Sequence, residues 1–434
     1  MITPSFGLTA TERVLPSLAL DFTTANLDSR VTFTRALDTA TRINSSGQLE
    51  VVLADTPRFD YDPTTLACKG LLIEESRVNS LRNNTMQGVV AGTPGTTPTN
   101  WIVSSTASGI TREVVGIGTD NGVDYIDLRY SGTATSALAV QINFEGNTQI
   151  AAANGEAWTA SAYLKLAAGS TTNTTSRILV LAGRDVAGNS VAGQQAVSSG
   201  ITPTTTNILS QRSTLSFTFS SASVAFVRSS FQFSVANGAT IDLTLRVGLP
   251  QLEKGAFATS VIKTSTAAVT RNKDVVTMTG TNFSDWFNAT EGTFYCDVVP
   301  IKFGGTTIFE GAVSANDGTA NNVIALSGLG GPTTRNHIYG QVKSAGVQQV
   351  SLPLKVNVGA ARTTAAFAYK LDNFAGAADG TNLQTTTSGT LPTVDRLSIM
   401  SEYPNGRWLN GHIRKILYWP QRLTNNEVVA FSKG

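Results

Sequence analysis

The chain has 434 residues, of which 41% are apolar and 14% are charged, and its formal net charge is +2. This length and apolar content are typical of a globular protein with more than one domain and exclude a disordered chain. The 32 basic and 30 acidic residues are nearly balanced. We therefore expect no nucleic-acid partner, because such binding needs a clustered basic surface.

Targeting and redox features also narrow the class of protein. The N-terminal sequence has no basic stretch followed by an apolar core, so we expect no signal peptide and synthesis in a cytoplasm. No window of about 18 apolar residues occurs, so we expect no membrane insertion. The two cysteines, Cys68 and Cys296, lie far apart in sequence. Their spacing predicts free thiols rather than a disulfide framework or a cysteine metal site.

Many threonines and 39 glycines, with few amphipathic helical stretches, predict an all-β fold. Residues 1–85 contain short apolar stretches that are too irregular to close a core of their own. We expect this segment to bury them against copies of itself, as an attachment and oligomerisation segment. The residues that we expect at such interfaces are Phe22, Phe33, Phe59, Tyr61, Leu71 and Leu72.

A loop rich in glycine, threonine and proline at 92–99 precedes a second region, residues 86–256, with clear alternation of apolar and polar residues. Around Ile126–Tyr130 and Ile241–Val247 every second residue is apolar, as in a half-buried antiparallel strand. Turn pairs such as Asn121-Gly122 separate these segments. The pattern predicts a β-sandwich of the jelly-roll type.

The third region, residues 257–434, repeats this alternation and predicts a second antiparallel β-sandwich in tandem with the first. Its strands include segments around Phe294–Val298, Val350–Val356 and His412–Trp419, and we expect hairpins at 316–318, 379–380 and 410–411. One helix is predicted near the end, where Thr424 and Glu427 have the spacing of a capping box.

Three stretches, taken together, resemble a recurring layout in phage virion proteins of the head-spike and tail-fibre type. The first stretch is the N-terminal region, with LDF at 20–22, VTFTR at 31–35, PRFDYDP at 57–63 and KGLLIEE at 69–75. The second is 251–271 with QLEKG, ATS and VTR, and the third is 409–420 with LNGHIR and YWP. In such proteins the second stretch closes a jelly roll like that of carbohydrate-binding modules. The third resembles the closing strand of concanavalin A-like, or laminin-G-like, sandwiches.

The resemblance implies a fibre, spike or tail appendage of a phage virion. It implies a homotrimer, contacts with other virion proteins through residues 1–85, and binding of host-surface glycans by the sandwiches. With those residues deleted, we expect two folded, monomeric sandwiches to remain. Two alternatives stay open: a glycan depolymerase with carboxylates contributed by different subunits, and a capsid decoration protein with no glycan role.

Catalytic patterns are missing from the sequence, and we predict that the protein is not an enzyme. The acidic residues of the third region do not alternate along one strand as a glycosidase pair would. Asp60 and Asp62 alternate, but next to Arg58 and Tyr61 they indicate structural ion pairs. His337 and His412 have no acid partner nearby in sequence and there is no Gly-x-Ser-x-Gly motif, which argues against a hydrolytic triad.

Sugar-binding sandwiches use exposed aromatic rings, and the sequence offers three candidates for glycan binding. Trp408 lies in a polar hairpin segment, Tyr403 lies beside it, and Trp101 follows the linker. Trp158, Trp286 and Trp419 are expected to be packing residues. No cofactor is expected. The turns at 316–318 and 379–380 leave room for calcium, although hairpin turns prefer the same residues.

Overall fold

The structure is a computed structural model that describes residues 15–104, 109–301, 309–329, 337–356, 358, 361–404 and 406–434. Nearly all regular structure in these residues is antiparallel β, so the predicted all-β fold is confirmed. In this part of the chain, no helix is long and apolar enough to cross a membrane.

Residues 15–82 form short strands: four of them join large sheets of later parts of the chain, one pairs with a single later strand, and two form a two-stranded sheet of their own. These strands are β1 (Leu18–Asp21), β2 (Thr32–Thr34), β3 (Ala40–Ile43), β4 (Leu49–Val52), β5 (Phe59–Tyr61), β6 (Cys68–Ile73) and β7 (Arg77–Asn79). A single 3-10 turn, Phe22–Thr24, follows β1 and is capped by the side chain of Asp21.

The next region is a β-sandwich of two five-stranded sheets, and we call it the inserted sandwich. Its strands are β8 (Ile102–Val103), β9 (Ile110–Asp120), β10 (Val123–Thr133), β11 (Leu138–Asn143), β12 (Ala157–Ser170), β13 (Thr174–Arg184), β14 (Ser190–Val197), β15 (Arg212–Thr218), β16 (Phe226–Val235) and β17 (Thr240–Lys254). One sheet has the order β15-β12-β17-β10-β9 and the other β14-β13-β16-β11-β8. A 3-10 turn, Ile208–Ser210, precedes β15.

The alternation in sequence is the reason for this packing. Ile126, Leu128 and Tyr130 on β10 are fully buried between the two sheets, whereas the residues between them are half-buried on the outer face. The turn from β9 to β10 is Asn121-Gly122, and both residues have positive φ, as a tight hairpin turn of two residues requires. The predicted sandwich is therefore present.

The last region carries the remaining strands and two helices. They are β18 (Val269–Arg271), β19 (Val275–Thr279), α1 (Thr281–Ser284), β20 (Glu291–Pro300), β21 (Phe309–Asn316), β22 (Val323–Leu329), β23 (His337–Ser344), β24 (Val347–Lys355), β25 (Thr363–Lys370), β26 (Phe374–Ala378), β27 (Thr381–Thr386), β28 (Arg396–Ile399), β29 (Ser401–Tyr403), β30 (Gly406–Trp408), β31 (Gly411–Trp419) and α2 (Asn425–Phe431). Thr424 and Glu427 form the predicted capping box of α2.

Most of these strands, together with β1, β2, β5 and β6, form one larger sandwich, which we call the composite sandwich. Its first sheet has the order β27-β26-β25-β20-β31-β6-β5, and β1 also pairs with β31. Its second sheet has the order β2-β19-β28-β21-β22-β23-β24, with the β29–β30 hairpin next to β21. The N-terminal strands therefore complete both sheets of the C-terminal sandwich.

The polypeptide chain enters the inserted sandwich and returns from it at one place. Strand β7 pairs antiparallel with β18, with Arg77 opposite Arg271 and Asn79 opposite Val269. The two sandwiches are therefore not simply in tandem, as expected from the sequence. The strands of the composite sandwich come from segments before and after the inserted sandwich in the sequence. The division of the chain at residues 85 and 256 into independently folding units stays a prediction.

The apolar residues expected at an oligomer interface lie inside this single chain. Phe22, Phe33, Phe59 and Leu71 belong to the core of the composite sandwich. Leu72 is buried too, and Tyr61 packs half-buried against the same core. The reason for expecting oligomerisation was that these side chains lack a core, and β20 and β31 supply one. The homotrimer stays a prediction, but these side chains no longer support it, because they have a core within the chain.

Two smaller expectations have different outcomes. Trp158, Trp286 and Trp419 are buried, as expected for packing residues, and both cysteines are free. The hairpin predicted at Asn410-Gly411 is wrong, because β30 pairs with β29 and β21 rather than with β31. Instead, the side-chain oxygen of Asn410 accepts a hydrogen bond of 2.7 Å from the backbone N–H of Glu75.

Candidate functional site

The three aromatic residues predicted to bind glycan lie in different environments. Trp101 is buried in the core of the inserted sandwich, where its Nε1 donates to the carbonyl of Asn83 at 2.8 Å. The indole packs edge-on against Phe144 with ring centroids 5.0 Å apart. Because its faces are covered, Trp101 has no surface on which a sugar could stack.

Trp408 and Tyr403 lie on the β29–β30 hairpin, and both are half-buried. The Nε1 of Trp408 donates to the carbonyl of Asp274 at 3.0 Å, and Nζ of Lys273 lies 5.3 Å from the centroid of the indole. The ring also packs against the core of the composite sandwich. These contacts give Trp408 a packing role, whereas Tyr403 lies near a polar cluster.

The centre of that cluster is Glu402, which is fully buried where the hairpin covers the outer face of the second sheet. Its Oε1 accepts from Nε2 of Gln341 at 3.1 Å and lies 3.5 Å from Nζ of Lys343. Its Oε2 accepts from Arg407, whose guanidinium lies 5.9 Å from the centroid of the Tyr403 ring. The backbone carbonyl of Glu402 accepts from the hydroxyl of Ser314 at 2.7 Å.

Gln341 extends this network across the sheet. Its Nε2 also donates to the hydroxyl of Ser327 at 2.9 Å. Its Oε1 is buried and has no hydrogen-bond donor in the described part of the chain. An unsatisfied buried amide oxygen is unfavourable, and a ligand hydroxyl or a water molecule would satisfy it.

Half-buried aromatic rings lie on the same face of the sheet, next to the polar cluster. The register places Tyr339 opposite Ser327, and Gln341 follows two residues later on β23, so both side chains project to one side. The Tyr339 ring packs edge-on against Phe309 at 5.3 Å and parallel to His337 at 5.8 Å. Nζ of Lys343 lies 5.9 Å from the Phe309 ring centroid. We call Phe309, His337, Tyr339, Gln341, Lys343 and Glu402 the polar–aromatic patch.

Rings beside charged and amide groups are suited to recognise carbohydrate. A ring binds the apolar face of a sugar, while carboxylate, amide and ammonium groups bind its hydroxyls. A hydrolytic role fits less well, because both oxygens of Glu402 are already bonded to donors.

The turns considered for calcium use their carboxylates internally. Asp317 accepts from the backbone and hydroxyl of Thr319 and from Asn322. Asp379 accepts from Lys355 and Thr364. Across the described residues, no group of three or more His, Cys, Asp or Glu side chains is positioned to hold a metal ion.

The stretches at 57–75 and 251–271 contribute Arg58, Glu74 and Arg271 to a buried ionic cluster, which Arg35 and Asp274 complete. Arg58 pairs with Glu74 at 2.7 Å and also with Asp274, and Arg35 lies 3.2 Å from Asp274. Arg271 lies 3.6 Å from Glu74, and all five side chains are fully buried. Arg58 and Glu74 thus connect the N-terminal strands to the chain that returns from the inserted sandwich.

Burial and neighbouring charges act against each other in this cluster. Burial alone would raise the pKa of Glu74, but Arg271, Arg58 and the hydrogen bonds from Ser260 hold it well below the usual value. Burial also opposes the charge of Arg58, yet Asp274 and Glu74 raise its pKa above the usual value. Burial lowers the pKa of Arg35 and Arg271 from the usual value. Glu74 and Arg58 are held in their charged forms, and the cluster has a structural role.

No family model matches the chain, and no curated protein matches it. Among solved structures, it is similar to the carbohydrate-binding module CBM40 of the Ruminococcus gnavus IT-sialidase bound to α2,3-sialyllactose. That match has 14% identity and a TM-score of 0.28, and it covers 33% of this chain and 84% of the other.

Two further solved structures match over a larger share of the chain. Trypanosoma rangeli sialidase with the inhibitor DANA matches at 8% identity and a TM-score of 0.26, over 74% of this chain and 68% of the other. Mouse laminin α1 domains LG4-5 match at 9% identity and a TM-score of 0.22, over 71% and 96%. With TM-scores below 0.5, these likenesses carry no argument about the site.

Sequence reasoning missed the polar–aromatic patch. It selected only the neighbouring Tyr403, because that residue lies near Trp408, and it gave Glu402 no role. Its partners Gln341 and Lys343 lie 61 and 59 positions away. The alternation of His337, Tyr339, Gln341 and Lys343 along one strand was an available signal, because residues at every second position share a face.

Proposed function

We propose that this chain is a glycan-binding structural protein whose binding surface is the polar–aromatic patch. The observation that carries the proposal is the position of three half-buried rings beside a buried carboxylate and amide on one face of a sheet. Gln341 and Lys343 hold the Glu402 carboxylate in place beside these rings. The ligand is a neutral or mildly acidic glycan, because Lys343 and Arg407 already bind Glu402.

We propose further that the protein is a component of a phage virion, as a fibre, spike or tail appendage. The resemblance of stretches 57–75, 251–271 and 409–420 to such proteins supports this role. The buried ionic cluster fits it, because a virion component must keep its modules in fixed positions outside the cell. One patch would bind weakly, with a Kd on the order of millimolar, and several copies would raise the avidity by roughly 10² to 10⁴.

The glycan proposal is tested by binding of purified bacterial lipopolysaccharide and capsular polysaccharide to the immobilised protein. We expect the Tyr339→Ala substitution to weaken binding about ten-fold, because the central ring of the patch is lost. Tyr125→Ala is the matched control: this half-buried tyrosine lies on the inserted sandwich, stacked on Arg246. Equal effects of the two substitutions, or no binding to either polysaccharide, would contradict the proposal.

The same samples separate binding from cleavage. A glycan depolymerase would release reducing ends from the polysaccharide at enzyme-like rates, and we expect no such release. The virion role is tested by immunogold imaging of phage particles. Label on an appendage supports the proposal, whereas label over the capsid without glycan binding would indicate a decoration protein. Particles without any label would overturn the virion role.

A further inference from the structure

A cavity of about 290 Å³ opens where the N-terminal strands, the inserted sandwich and β31 meet. Its walls include Arg42 and Lys69 from the N-terminal strands, Tyr163 and Arg212 from the inserted sandwich, and His412 from β31. The volume is roughly that of ten water molecules and lies near the lower end for ligand pockets. It accommodates one small ring rather than a polymer.

The two carboxylates in the wall have no capacity left for a ligand. Asp60 accepts from the backbone N–H of Ile43 at 2.8 Å, from Nε2 of His412 at 2.9 Å and from Nζ of Lys69 at 2.5 Å. Glu74 accepts from Arg58 at 2.7 Å and from the backbone N–H and hydroxyl of Ser260 at 2.7 and 2.6 Å. A cation in the cavity would therefore find no free carboxylate oxygen.

Donors, in contrast, exceed acceptors in the wall. Arg212 donates to the carbonyl of Thr259 at 2.7 Å and to the hydroxyl of Ser161 at 2.9 Å. Its buried Nε–H has no acceptor in the described part of the chain. Lys69 is about one-third exposed and can donate two more hydrogen bonds beyond that to Asp60. Arg42 is bound to Glu50 through Nε and donates from a terminal nitrogen to the carbonyl of Pro57 at 3.4 Å.

The rest of the wall is apolar, and it adds a surface for the body of a ligand. This part of the lining consists of Ile43, Leu49, Leu209, Val261 and Ile301. The cavity therefore combines cationic donors with an apolar wall, which suits a small molecule that carries one anionic group on a ring.

We propose that this cavity binds a small carboxylate-bearing ring compound of the size of a single uronic acid. Lys69 and Arg212 bind the carboxylate, Arg42 contributes at the entrance, and the ring lies against the apolar wall. The site is distinct from the polar–aromatic patch and does not depend on glycan binding there. Because its donors come from different parts of the chain, a bound ligand connects the inserted sandwich to the N-terminal strands.

The test is calorimetric titration of the full chain with glucuronate, with glucose and inorganic phosphate as comparison probes. We expect glucuronate to bind and to raise the melting temperature, since a ligand bound to the native state stabilises it. Glucose, which has no carboxylate, is expected to bind at least ten-fold more weakly. No binding of glucuronate, equal binding of glucose, or tighter binding of phosphate would overturn the proposal.

Substitutions locate the binding event. Arg212→Gln is expected to weaken glucuronate binding about ten-fold, since a charged hydrogen bond is lost. If that variant does not fold, Lys69→Met provides the same comparison from the other side of the cavity. Arg129→Gln is the control, because Arg129 forms exposed ion pairs with Asp242 and Glu113 on the inserted sandwich. Unchanged binding in the folded cavity variant, or an equal loss in the control, would contradict the site.

Discussion

His412 and Asp60 lie 352 positions apart in the sequence, and Nε2 of His412 is 2.9 Å from Oδ2 of Asp60 in the fold. The contact joins β31 to β5 across the first sheet of the composite sandwich. It gives His412 the acid partner that its sequence neighbours lack. No serine or threonine hydroxyl is bonded to His412 in the described residues, so the contact is a structural hydrogen bond between two strands rather than part of a catalytic triad.

This pair predicts a specific dependence of stability on pH. Burial acts to raise the pKa of Asp60, but His412 and Lys69 lower it from 3.8 to about 2. A carboxyl group with a lowered pKa in the folded state stabilises the protein above its unfolded pKa, and this contribution disappears as the pH falls towards 2. The shift corresponds to about 2 kcal/mol.

Urea unfolding between pH 7 and pH 2 measures this contribution. We expect the difference in unfolding free energy between the wild type and Asp60→Asn to shrink by about 2 kcal/mol between roughly pH 4 and pH 2. Asp395→Asn is the control, because the Asp395 side chain is 61% exposed. A constant difference between the wild type and Asp60→Asn across this range would disprove the linkage.

The buried ionic cluster predicts a large effect from the loss of one charge. Arg58→Met leaves Glu74 and Asp274 buried without their main partner, and we expect a loss of about 3–5 kcal/mol in unfolding free energy. Arg30→Met is the control, because Arg30 pairs with Asp28 near the surface; its expected loss is below about 1 kcal/mol. Denaturant titration of both variants is the measurement, and similar losses would exclude the structural role.

Trp408→Ala separates packing from glycan binding. Its indole packs on the core and donates to the carbonyl of Asp274, so we expect a loss of about 2 kcal/mol in stability. Binding of polysaccharide by the folded fraction is expected to stay unchanged, whereas Tyr339→Ala weakens it. Calorimetric melting and surface binding of the two variants provide the readouts. Reduced binding with unchanged melting would return Trp408 to the role first expected from the sequence.

Deleting residues 1–85 gives a different expectation from the structure than from the sequence. The deletion removes β1, β2, β5 and β6, and it exposes one edge of β31 together with the core next to Ile413 and Ile416. We expect the inserted sandwich to remain folded and the composite sandwich to lose cooperative unfolding. Two cooperative melting transitions in the truncated chain would contradict this expectation. The mass of the full chain in solution tests the homotrimer separately.

Strands, turns and helix caps depend on neighbouring residues and are predictable from the sequence. The pairing of strands that lie far apart in the sequence is not. The strands around Ile126 and Ile241, the turn at Asn121-Gly122 and the capping box at Thr424 follow from local periodicity and local hydrogen bonds. Composition and periodicity do not reveal that β6 pairs with β31, because any strand of that pattern could pair there. The apolar residues of the N-terminal region therefore predicted contacts with other copies rather than with the C-terminal strands.

The same limit applies to the candidate site. Aromatic residues can be listed from sequence, but exposure depends on tertiary packing, so Trp101 and Trp408 were selected although one is buried and the other packs on the core. The role of Glu402 is visible only in the fold, where the β29–β30 hairpin places its carboxylate next to Gln341 and Lys343. Charged residues in the stretches at 57–75 and 251–271 were read separately, whereas Arg58, Glu74 and Arg271 belong to one cluster.

The antiparallel pair of β7 and β18 has a consequence for the order in which the molecule forms. The composite sandwich joins residues from both ends of the chain, as in the hydrogen bond from Ser17 to the carbonyl of Tyr418, 401 positions away. Contacts at such separation form slowly, because a long loop must close first. Once the inserted sandwich has folded, Asn79 and Val269 are adjacent, and nearly half of that loop no longer contributes to the closure entropy. The inserted sandwich would thus act as an internal folding aid, and the slow step that remains is the pairing of β31 with the N-terminal strands.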